Sequence, residues 1–229
     1  MKSAFLPDSV PPPQSGSLTL DADGWCHQVQ QLRSPNFGPR PAGMAVDLLV
    51  IHNISLPLGQ FGTQYIADLF CNRLDTTVHP DFASLRGVEL SAHFVLRRDG
   101  QLLQFVSTAQ RAWHAGVSAF EGREGCNDFS IGIEIEGCDF LPFETVQYAR
   151  LAQLTSCLLE SYPLKSVCGH QHIAPGRKTD PGPCFDWQAY AAAFHSVQQA
   201  PGANPEAAAA SRNAAAADLR FPAQHKKSS

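Results

Sequence analysis

Ile131-Gly132-Ile133-Glu134-Ile135-Glu136 is the stretch on which the fold turns. Side chains alternate along a strand, so the three isoleucines share one face and Gly132, Glu134 and Glu136 share the other. One face packs against a core, and the other is available for chemistry. Upstream, Val46-Asp47-Leu48-Leu49-Val50-Ile51 is a nearly continuous apolar run that suits a strand covered on both faces, with His52 at its end. Residues 91–98 and 101–106 are β-like runs on either side of Asp99-Gly100, a dipeptide suited to a tight hairpin turn. Ile66, Leu69 and Phe70 predict a short amphipathic helix over residues 63–72. Leu151, Leu154 and Leu158 predict a second over residues 145–161, capped by Thr145 and stopping before Pro163. Asp186 is placed to cap a last helix carrying Trp187, Tyr190 and Phe194 on one face. Strands and helices that interleave in this way predict an α/β (α+β) fold, a single domain with a mixed β-sheet flanked by helices.

Composition divides the chain outside that centre. A Pro-rich leader over residues 1–17 and an Ala-rich tail over residues 199–229 have few large apolar residues to bury, and both are expected to be disordered. The domain is expected over residues 18–198, with Ser34-Pro35-Asn36-Phe37-Gly38-Pro39-Arg40-Pro41 laid on it as an extended arm. The chain has 229 residues, 44% hydrophobic and 17% charged, with a formal net charge of −4, so no basic stripe suggests a nucleic-acid partner. Residues 1–16 hold no apolar run that suits a signal-peptide core or a membrane span, which argues against export by that route. Seven scattered cysteines without a C-x-x-C pair suggest neither a disulfide framework nor a cysteine-based metal site, and reduced thiols in a cytoplasm are the simplest reading.

Among nine histidines, His27, His195 and His225 lack a suggestive context. His52 differs, because a sheet delivers rigidly held side chains to a cleft at strand ends. His170 and Asp180 lie in a segment, residues 169–183, that its glycines and prolines mark as a loop. Two imidazoles and a carboxylate are a recognised catalytic zinc set with a fourth position left for water. His172, two residues after His170, could also chelate a metal.

Four segments together resemble the AmpD-type N-acetylmuramoyl-L-alanine amidases: Val50-Ile51-His52-Asn53-Ile54-Ser55-Leu56-Pro57, Arg111-Ala112-Trp113-His114-Ala115-Gly116, Cys126-Asn127-Asp128-Phe129-Ser130-Ile131-Gly132-Ile133-Glu134 and Arg177-Lys178-Thr179-Asp180-Pro181-Gly182-Pro183. The resemblance covers roughly residues 25–194 and implies the fold shared with peptidoglycan-recognition proteins. It implies Zn2+ as cofactor with His52, His170 and Asp180 as ligands, Glu134 as acid/base group and Lys178 as its electrostatic partner. In relatives the position of His172 is commonly not a ligand. Asn53, Trp113 and His114 are candidate substrate contacts, and Ser91-Ala92-His93 also matches, with His93 read as structural. The implied reaction is hydrolysis of the amide between the lactyl group of muramic acid and L-alanine. Members without a signal peptide act in the cytoplasm on 1,6-anhydro-muropeptides, which implies a recycling enzyme with a muropeptide substrate, and a monomer is expected. A wall-lytic amidase acting on polymeric peptidoglycan and a non-catalytic muropeptide-binding module are the alternatives. Gly125 departs from the pattern, since relatives can carry a basic residue there.

Overall fold

The computed structural model describes residues 17–200 and 218–223. Six strands make one sheet: β1 (Gln30–Gln31), β2 (Leu48–Ile54), β3 (Phe94–Leu96), β4 (Leu102–Gln104), β5 (Ser130–Glu136) and β6 (Ser166–Gly169). Their order is β1-β4-β3-β5-β2-β6, and only the β3/β4 pair is antiparallel. The sheet is therefore mixed. Among the described residues four α-helices accompany it, α1 (Tyr65–Phe70), α2 (Thr145–Ser161), α3 (His170–Ile173) and α4 (Trp187–Gln199).

The alternation in β5 sorts the two faces as the sequence predicts. Ile131, Ile133 and Ile135 pack with Leu49, Ile51 and Leu96 against Leu151, Leu154 and Leu158 of α2 and Trp187, Tyr190 and Phe194 of α4. On the opposite face Leu48 and Val50 meet Cys126, Phe129, Cys168 and Ile173. A third cluster gathers Ile66, Leu69 and Phe70 of α1 with Val95, Leu103 and Phe105. Between the last two clusters lies the polar row of β5. The Asp99-Gly100 hairpin forms, with Gly100 at φ 86°, Arg97 N–H donating to Gln101 O and Gly100 N–H to Arg97 O. Asp186 caps α4 by accepting from Gln188 N–H and Ala189 N–H.

Several boundaries differ from the sequence reading. β2 continues through His52 and Asn53 to Ile54, because its parallel pairing with β5 runs on to Ile54↔Glu136. His52 is therefore inside the strand, not at its end. Strands β3 and β4 and helix α1 are shorter than expected, as pairing and helix geometry stop before the apolar pattern does. α2 has the expected span, but its cap falls one residue earlier, where Glu144 N–H donates to Gln147 Oε1. The segment 169–183 is not all loop, since His170 opens the turn α3 directly from the end of β6.

The arm lies on the domain as expected. Phe37–Gly38 pairs antiparallel with Arg111–Ala112, and the buried Asn36 donates to Leu90 O and Asn72 Oδ1. Arg40 anchors it more deeply, donating to the backbone carbonyls of Asn127, Asp128, Thr108 and Ser130.

The expected disordered leader lies outside the described residues except for Ser17, and the expected tail lies outside them between residues 201 and 217 and from 224 onward. Residues 218–223, within the expected tail, are described and lie against the domain. Leu219 is buried, Phe221 packs its ring on Tyr190 and Phe194, and Arg220 bridges the free edge of β6 at Ser166. Val167 N–H donates to Arg220 O, and Arg220 N–H to Lys165 O. Two large apolar side chains and a donor and acceptor for an unpaired strand edge are enough to seat this short segment. Deleting residues 201–229 should lower stability by about 2 kcal/mol, which for a domain of this size is roughly 4–8 °C in Tm. An unchanged melting temperature by calorimetry would show that the segment contributes nothing.

Candidate active site

His52 and Glu134 are directly opposite one another in the parallel register of β2 and β5. His170 enters from the start of α3, held at the end of β6, which pairs with β2 on its other side. Asp180 comes from the following loop, where Asp180 O accepts from Gln171 N–H. Three elements therefore converge. His52 Nδ1 lies 3.0 Å from His170 Nδ1 and 2.8 Å from Asp180 Oδ2, and His170 Nδ1 is 3.1 Å from the same oxygen. These three side chains form a group that could hold a metal ion.

The donor set fits such an ion. His170 Nε2 faces Ala115 O at 3.1 Å, and a carbonyl can only accept, so the proton of a neutral His170 sits on Nε2 and Nδ1 offers a lone pair to the cluster. Burial lowers the His52 pKa and favours the neutral form that a ligand requires.

Glu134 stands beside this cluster and is unlike its neighbour on the same face. Glu136 has both oxygens engaged, Oε1 accepting from Gly62 N–H at 2.6 Å and Oε2 from Arg98 N–H at 3.1 Å. Glu134 Oε2 is buried and, among the described residues, has no hydrogen-bond partner. Burial raises the Glu134 carboxyl well above the carboxylate range, the charge of Asp180 adds to that, and Lys178 pulls the other way. Lys178 itself is exposed on the loop that carries Asp180.

His172 does not join the cluster. Its Nδ1 accepts from Gly169 N–H at 2.8 Å, and its ring lies near Trp187. The three candidate substrate contacts also have other engagements. Asn53 Nδ2 donates to Asp139 Oδ1 and to Pro181 O, bracing the loop next to Asp180. Trp113 is half-buried beside Gly38 of the arm, its backbone tied to Ser91 in both directions. His114 is buried behind His52, in the layer beneath the cluster, with Nδ1 3.0 Å from His52 Nε2. Ser130, Ala115 O and Arg40 belong to that layer too, and the sequence reading did not single them out for the site. One signal was available: Gly132 sits on the polar face next to Glu134, and a Cβ there would lie 2.4 Å from His114. A glycine amid that row marks the place where another ring must fit.

The family model described as N-acetylmuramoyl-L-alanine amidase matches residues 42–183. The chain belongs to the N-acetylmuramoyl-L-alanine amidase family. It is 48% identical over 177 residues to the 1,6-anhydro-N-acetylmuramyl-L-alanine amidase AmpD of Citrobacter freundii, covering 76% of this chain and 94% of that one. With AmpD of Escherichia coli it shares 50% identity over 166 residues, covering 72% and 91%. A crystal structure of a selenomethionine AmpD derivative superposes with a TM-score of 0.74 at 48% identity, covering 76% of this chain and 98% of that chain. This amidase thus has the expected fold and is an amide hydrolase of the AmpD type.

The buried histidines of the amidase also carry a pH dependence. His93 accepts from Gly132 N–H at Nδ1, and burial, helped by the Arg40 charge, lowers its pKa to about 3. In the unfolded chain the imidazole takes up a proton as pH falls through about 6.5, while the folded one resists until about 3. Proton uptake in that window favours the unfolded chain, so stability is fully present above about pH 6.5 and declines toward pH 3. Urea midpoints measured across this range should fall with pH, and less steeply in His93→Gln; equal slopes would contradict the assignment.

Proposed function

We propose that this amidase is a zinc enzyme that cleaves the amide between the lactyl group of 1,6-anhydro-N-acetylmuramic acid and L-alanine, in the recycling of wall fragments. The observation that carries the reading is the convergence of His52 Nδ1, His170 Nδ1 and Asp180 Oδ2 beside an unpartnered Glu134 oxygen. The substrate follows from the AmpD relatives, whose name specifies the anhydro-muramyl-L-alanine bond.

His52, His170 and Asp180 would hold the zinc, which supplies Lewis-acid polarisation and lowers the pKa of water to about 7. The residues of the chain do the rest. Glu134, with its raised proton affinity, takes the proton of the attacking water and returns it to the leaving amine of L-alanine. Lys178 places an ammonium where the carbonyl oxygen gains negative charge, and its exposure lets the substrate reach it. Glu136, fully engaged by Gly62 and Arg98, keeps the strand and its loops in place.

All five proposed site residues come from one chain, so a monomer suffices. All seven cysteines are free, which suits a reducing cytoplasm. No helix among the described residues is long and apolar enough to cross a membrane.

Purified protein should release free peptide from an anhydro-muramoyl tripeptide, lose that activity to a chelator and regain it with zinc. No release after zinc is restored would overturn the enzyme reading, and faster turnover of intact peptidoglycan would make it a wall-lytic amidase instead. Glu134→Gln should keep zinc while kcat falls roughly 10²- to 10⁴-fold, because general-base help is removed without touching a ligand. Loss of zinc from that variant would mean that Glu134 holds the metal rather than the proton.

A further inference from the structure

The ring nitrogen that a histidine offers to a metal is decided by where its other nitrogen leaves its proton. For His170 a carbonyl behind the ring settles the matter. His52 has no carbonyl there. Its Nε2 faces a second imidazole, His114 Nδ1 at 3.0 Å, and that group can either donate or accept.

Ser130 resolves the ambiguity. Its hydroxyl lies 2.6 Å from Cys126 O and must donate to it, which leaves only lone pairs for His114 Nε2 at 3.2 Å. A neutral His114 then keeps its proton on Nε2, donates it to Ser130, and presents a bare Nδ1 to His52. His52 in turn must carry its proton on Nε2, so its Nδ1 lone pair faces His170 Nδ1 and Asp180 Oδ2. Three acceptor atoms within 3.1 Å of one another then have no proton between them, an arrangement that a cation relieves.

We infer that His114 and Ser130 are positioning residues that fix His52 in the Nε2–H tautomer and so prepare its Nδ1 for the metal. The inference rests on the reading of His52, His170 and Asp180 as a metal site. The relay is built into the fold. His114 and Ala115 N–H both donate to Asn127 Oδ1, which sets the backbone behind the ring. Gly132 supplies the space in which the ring lies, and Arg40 binds Ser130 O on the strand that carries the hydroxyl.

Long-range proton–nitrogen NMR of the zinc-free protein at neutral pH reads the tautomers directly. It should show His52 and His114 protonated at Nε2 and bare at Nδ1. Zinc affinity, measured by competition with a chelator, should fall roughly 10- to 100-fold in His114→Leu, which removes the acceptor while keeping an apolar side chain of related size. His114→Asn, whose amide oxygen can replace Nδ1, should bind zinc within about threefold of the parent, and Ser130→Ala should weaken it by an intermediate factor. A His52 proton found on Nδ1 overturns the inference even if His114→Leu fails to fold. Parent-like zinc affinity in a folded His114→Leu also overturns it. Parent protein that binds no zinc at all overturns the metal reading beneath it, while its NMR spectrum still decides the tautomer.

Discussion

The parallel pairing of β2 with β5, in the register that sets His52 opposite Glu134, is the constraint on which the site depends. Neighbouring strands hold such residues about 5 Å apart at the backbone, close enough for an imidazole and a carboxylate to address one small volume. The register is enforced from the other face. Ile131, Ile133 and Ile135 are buried against α2 and α4, and a slip of one residue would drive Glu134 and Glu136 into that core while turning isoleucines toward the polar cluster. Packing on one side of the sheet therefore specifies chemistry on the other.

Along the polar face, hydrogen-bond satisfaction separates Glu136 and His93 from Glu134. Glu136 and His93 are buried, and each has both of its side-chain polar atoms engaged by backbone groups. Such fully engaged polar groups rigidify a fold. Glu134 is buried as well, yet among the described residues one of its oxygens has no partner. A buried carboxylate oxygen left unpartnered is costly, and it is retained where a catalytic task uses it.

Much of this was legible in the chain. The alternation of Ile131 to Glu136, the Asp99-Gly100 turn, the leucine spacing of α2 and the Asp186 cap are local patterns, and local geometry obeyed them. The AmpD-like motifs brought His52, His170, Asp180 and Glu134 to attention, and the fold brings those four together. What the sequence hid is long-range. β2 extends through polar residues because its partner continues, which no apolar run can reveal. His114 meets His52 across 62 residues of chain and Ser130 across 16, so its place under the cluster depended on tertiary folding. Arg40 stood in the proline-rich arm with nothing local to mark the carbonyls it binds, and Leu219-Arg220-Phe221 was masked by the alanines before it.

The most direct test is a crystal structure of the protein with zinc added, with the ion located by its anomalous scattering. Zinc should then lie about 2.0–2.2 Å from His52 Nδ1, His170 Nδ1 and an Asp180 oxygen, with Glu134 near it but not bound. Zinc ligated through either imidazole's Nε2, through His172 or through Glu134 would contradict that placement.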